Sequence, residues 1–63
     1  MRSVGLTGLQ EMIALQVSRG DREREIAVSL DMSSRQVRIQ LNSICKKTGV
    51  NSLEALAMWV TAS

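Results

Sequence analysis

Apolar residues return every third or fourth position along most of this chain, a period that predicts helices rather than strands. The pattern is sharpest in the middle. Val37, Leu41, Ile44 and Thr48 recur at i, i+4, i+7 and i+11, which at about 100° per residue places them in one narrow stripe expected to be buried. Arg35, Ile39, Asn42 and Lys46 fall on the opposite side, with Arg38 on one flank and Ser43 and Lys47 on the other. Earlier in the chain, Leu6, Leu9, Ile13 and Val17 line one side of a helix, and Ile26, Ala27 and Leu30 one side of a shorter one. The last segment is apolar nearly all round. Leu53, Leu56, Ala57 and Val60 make one stripe, and Ala55, Met58, Trp59 and Ala62 make another. One stripe suffices to cover a core, so the surplus is expected to meet a second molecule with Trp59 as its anchor. The alternative is that Trp59 folds back over its own core.

Polar punctuation divides these segments. Thr7-Gly8-Leu9-Gln10, Ser33-Ser34-Arg35-Gln36 and Asn51-Ser52-Leu53-Glu54 each set a short polar cap three residues before a Gln or Glu. In such a box the cap oxygen accepts from an orphan N–H of the first turn, and the longer side chain accepts from the cap's own N–H. Asp21 is expected to cap the remaining helix, its charge favoured at the positive end of the helix dipole. Gly20 and Gly49 stand where helices one and three should stop. The expected helices are 8–19, 22–30, 34–47 and 52–61, an all-α single domain over 1–63.

Composition narrows the function classes. A chain of 63 residues holds one core and buries only about 60% of the surface exposed on unfolding, so a partner subunit would add useful stability. With no histidine and a single cysteine, Cys45, it lacks the material for a Cys/His zinc site, an internal disulfide or a histidine-based triad. Glu23 and Glu25 are two apart on a helix and point to different faces, so they form no acid/base pair. No enzyme activity, metal or cofactor is expected. The longest wholly apolar run, Ala55 to Val60, is far below the roughly 20 residues that span a bilayer. The opening stretch, Met1 to Gly8, is too polar and glycine-rich for a secretory leader, and the lone thiol suits a cytoplasmic setting.

Net charge is only +2, so its distribution matters more than its total. Ser33 to Thr48 carries Arg35, Arg38, Lys46 and Lys47 and no carboxylate, whereas Asp21 to Asp31 carries four acids against Arg22 and Arg24. The connection Leu30-Asp31-Met32-Ser33 has helix-turn-helix length, Ala27 permits close approach, and Asp31 tolerates a left-handed turn position.

With Leu6-Thr7, Gly20, Glu25-Ile26-Ala27, Leu30-Asp31-Met32-Ser33, Val37-Arg38, Ile44, Lys47, Gly49-Val50 and Glu54-Ala55 in ungapped register, the chain resembles the LuxR-type (GerE-like) helix-turn-helix domain of bacterial transcription regulators. The resemblance covers roughly Leu6 to Met58. It implies a four-helix domain whose third helix reads DNA and whose fourth mediates dimerisation. The chain departs from the family pattern at Leu9, Met12, Gln36, Gln40 and Thr48. Leu9 is expected to enlarge the core; Met12 either does so or docks a partner.

The residues expected on DNA follow from both lines of reasoning. Arg35 carries a planar donor fork suited to guanine O6 and N7, and Arg38 stands at a position usually basic in the family. Asn42 can read adenine or bridge water, and Ile39 can touch a thymine methyl. Ser34 and Gln36 surround the same first turn. Lys46 and Lys47 can contact backbone phosphate or simply favour the helix dipole. Arg24 is the better phosphate candidate on helix two. Leu53, Leu56, Met58 and Trp59 are the expected dimer contacts. The expected partner is double-stranded DNA, read by a homodimer at an inverted-repeat operator. A different class of function is an antagonist that heterodimerises with a larger regulator of the same family.

Overall fold

The computed structural model describes residues 4–62, which form four α-helices: α1 Gly8–Ser18, α2 Glu23–Ser29, α3 Ser34–Thr48 and α4 Leu53–Ala62. Met1, Arg2 and Ser3 of the opening stretch and Ser63 lie outside the described residues. Each helix end falls within one residue of its expected place. Among the described residues there is no strand, and no helix is long and apolar enough to cross a membrane.

Two of the three expected capping boxes close. At α1 the Thr7 hydroxyl accepts from Gln10 N–H at 3.1 Å while Gln10 Oε1 accepts from Thr7 N–H at 3.2 Å. At α3 the corresponding Ser33 and Gln36 bonds are both 3.0 Å. The third does not form. Ser52, not Asn51, caps α4, its hydroxyl accepting from Ala55 N–H at 3.0 Å, because the helix starts one residue later than the box required. At α2 the cap position belongs to Arg22 rather than Asp21, and Glu25 Oε1 accepts from the Arg22 N–H at 2.6 Å. The acid one turn into the helix thus satisfies the N–H at the helix start, a different donor from the first-turn N–H that Asp21 was expected to serve.

Ile13, Val17, Ile26, Ala27, Val37, Leu41, Ile44 and Leu56 form the buried cluster, with Leu6, Leu30, Met32, Val50, Leu53, Ala57, Trp59 and Val60 packed against it. The buried face of α3 is the predicted one, although Thr48 at its end is only half-buried. That of α1 is turned by one position. Gln10, Ile13, Ala14 and Val17 face inward, while Leu9 keeps 38% of its surface exposed and Met12 50%. Leu9 therefore does not enlarge the core. Gln10 takes the inward place because its amide has polar partners on α3: Nε2 donates to Gln40 Oε1 at 3.1 Å and to Ser43 Oγ at 3.2 Å. A buried amide is tolerated only when so satisfied.

The arrangement makes α1 the common neighbour. It packs most extensively on α4 and substantially on α3, while α2 packs chiefly on α3. Helices α3 and α4 meet each other little. One face of α3 is thus covered by α1 and α2, and the other is left to solvent.

Candidate nucleic-acid interface

The turn between α2 and α3 is fixed at both ends. Asp31 adopts φ 55, a left-handed conformation that few non-glycine residues accept, and Met32 N–H donates back to Ala27 O at 2.8 Å. Ser33 then caps α3, so the first exposed turn of that helix begins at a defined place. Ser34, Arg35 and Gln36 occupy this turn, and all three are exposed.

Farther along, Arg38, Ile39, Asn42 and Lys46 are exposed on the side away from Val37, Leu41 and Ile44. Among the described residues Arg35, Asn42 and Lys46 engage in no ion pair or side-chain hydrogen bond. A shallow, open hollow at the end of α3 brings Asn42 and Lys46 together with Cys45 and with Gly49 to Asn51 of the following turn. Gly49 closes the helix at φ 78, its N–H donating to Cys45 O at 2.8 Å. Partial burial pushes the Cys45 thiol up, so it stays protonated at neutral pH and is a poor nucleophile. Arg24 is exposed on α2.

Other residues are engaged within the chain. Lys47 does not simply lie along the carbonyl end of α3: its Nζ donates to Gly5 O at 2.9 Å and to Gln10 Oε1 at 2.7 Å. Its place at the edge of the buried stripe carries the ammonium to the start of α1. Gln40 accepts from Gln10, and Gln36 Oε1 is occupied by the cap. Arg38 meets Glu23 of α2 through two bonds, Nε to Oε2 and Nη2 to Oε1, both 3.2 Å. The hydrogen bonds first, and then the carboxylate's charge, raise the Arg38 pKa above its ordinary value, so the guanidinium is cationic throughout. From sequence Gln10 was read only as part of the α1 capping box and Glu23 only as a carboxylate that forms no acid/base pair; their bonds to α3 were not foreseen. Glu23 had one local signal: with Glu25 needed at the cap, it is the acid of the first turn left without a task.

On α4 the four expected dimer contacts separate. Leu56 is fully buried in the chain's own core, and Leu53 and Trp59 pack partly buried against that core. Their burial follows from the small domain needing one whole side of α4 to close over Ile13, Val17 and Ile44. Met58 is 71% exposed and remains available to a partner. On α1, Leu9, Met12 and Leu15 are the exposed large apolar residues.

Comparison of the chain with protein-family models, with curated proteins and with solved structures returns no match. The functional reading therefore rests on the residues and their geometry.

Proposed function

We propose that this chain is a LuxR-type (GerE-like) helix-turn-helix domain that binds double-stranded DNA in a sequence-specific manner and serves transcriptional control. In this reading α3 enters the major groove, where each base pair displays a distinct set of donors and acceptors. One observation carries it: the outer side of a 15-residue helix without a carboxylate presents Arg35, Asn42 and Lys46 uncovered by the other described residues. Arg35 and Arg38 supply the guanine-reading forks, Asn42 an amide for adenine, and Lys46 a phosphate grip. Lys47 is assigned to holding α1 against α3 rather than to DNA. The protein acts as a dimer through α4, with Met58 the exposed contact, and a two-fold pair places its reading helices in major grooves about 34–36 Å apart. The test is selection of bound duplexes from a random pool at near-physiological salt. A palindromic motif is expected; recovery of unselected sequence sinks the proposal.

A second reading is supported by the exposed apolar residues Leu9, Met12 and Leu15 of α1 together with Met58 of α4. It makes the chain an antagonist that pairs with a larger regulator of the same type. The two readings separate on charge removal: Arg35→Ala and Lys46→Ala impair a DNA reader but leave such an antagonist unaffected, whereas Met58→Glu weakens either one.

A further inference from the structure

The first turn of α2 offers two carboxylates with different partners. Glu25 accepts from the Arg22 N–H of its own helix start. Glu23 instead reaches across to α3 and accepts twice from Arg38. The acid is the recessed member of this pair, its side chain 28% exposed against 69% for Arg38. It forms the single ion pair among the described residues. A carboxylate beside a surface that meets phosphates weakens attraction to every sequence alike, so its presence there calls for a reason other than affinity.

The geometry of the guanidinium supplies one. Arginine has five N–H donors in a fixed plane. Glu23 occupies the edge formed by Nε and Nη2. Both hydrogens of Nη1 and the second hydrogen of Nη2 remain, and one hydrogen from each nitrogen makes an end-on fork of the kind that matches guanine O6 and N7. Two parallel bonds fix the plane of that fork as well as its position. We propose that Glu23 is a specificity-determining positioning residue, which orients the remaining donor fork of Arg38 toward a base and offsets the charge that would otherwise draw it to phosphate. The inference rests on the DNA-binding reading above. A side chain ordered before contact loses less freedom on docking, and a locally neutralised cation gains less from counterion release. Both effects favour reading over gripping.

The test compares the full chain with its Glu23→Gln, Glu23→Ala, Arg38→Ala and Glu23→Ala/Arg38→Ala variants on the selected duplex and on a scrambled duplex, over about 50–200 mM salt. Expected for Glu23→Ala are tighter binding to the scrambled duplex, a salt slope steeper by about 0.9, and a roughly tenfold loss of preference at one base pair. Glu23→Gln, which removes charge but keeps one acceptor, should reproduce the change in slope with a smaller loss of preference. Arg38→Ala should lose the same preference without gaining scrambled affinity, and the double variant should show the same base preference as Arg38→Ala, because Glu23 orients a base contact only through Arg38, while binding the scrambled duplex more tightly than Arg38→Ala for want of the carboxylate. The ratio of the two affinities is measured on one preparation, so a partly unfolded variant does not imitate the effect. Wild-type selectivity with unchanged preference and slope in both Glu23 variants overturns the role of Glu23 alone. Absence of any wild-type preference overturns the DNA reading and this inference with it.

Discussion

Single side chains here decide which neighbouring surfaces can do anything else. Gln10 is 96% hidden from solvent, being 4% exposed, and joins Thr7, Gln40, Ser43 and Lys47. Truncation would leave two donors, Thr7 N–H and Lys47 Nζ, and two acceptors, Gln40 Oε1 and Ser43 Oγ, without their partner, so Gln10→Ala should lower the unfolding free energy by about 2 kcal/mol, read from urea denaturation. At α3, Arg35→Ala is expected to relax selectivity at one base pair, while Lys46→Ala should weaken binding to all duplexes and shrink the salt slope by about 1. Binding curves on matched and single-mismatch duplexes distinguish the two. At Cys45 the folded thiol has a raised pKa, so the folded state retains its proton where the unfolded chain has begun to lose it. Stability should therefore be unaffected by this group at neutral pH and decline as pH climbs through the thiol's titration range. Thiol-reagent labelling at pH 8 should be slower in the native chain than in denaturant. None of these pairings was legible locally. Gln10 lies 30 residues from Gln40, and Glu23 lies 15 from Arg38, distances along the chain that no helical period spans.

For the helices, legibility depended on how one-sided each pattern was. Helix α3 has apolar residues on a single stripe apart from Ile39, and its buried side was readable except at Thr48, which is only half-buried. Helix α1 has apolar residues on two sides, and the choice between a stripe containing Leu9 and one containing Gln10 was made by bonds to α3 that the local pattern does not encode. Helix α4 was ambiguous for the same reason, and the core takes Leu56 wholly and Leu53 and Trp59 in part. Caps fared better, since their chemistry is local. Ser33→Ala should cost about 1 kcal/mol by removing the acceptor for Gln36 N–H. Gly49→Ala should cost a similar amount, about 1–2 kcal/mol, since a Cβ at φ 78 is strained even with open space around it. Thermal melts of the two variants give the measurement, and a loss at α3's end but none at its start would contradict the role assigned to Ser33.

At the scale of the whole molecule, a chain of 63 residues has roughly 3–9 kcal/mol of stability to lose. Leu56→Ala, at the centre of the core, should remove about 2–5 kcal/mol and leave a largely unfolded chain at 37 °C by circular dichroism. Met58→Glu touches no core and should leave the monomer folded; under the dimer proposal it shifts sedimentation toward the monomer and removes cooperative binding to the two halves of an operator. The topology adds a constraint on how those two events communicate. Because α3 and α4 have little direct contact and both rest on α1, the main route from a docked neighbour to the groove-facing side chains runs through that first helix. Conservative repacking at Ile13 or Val17 is therefore where subunit assembly and choice of operator would come apart, each surviving without knowledge of the other.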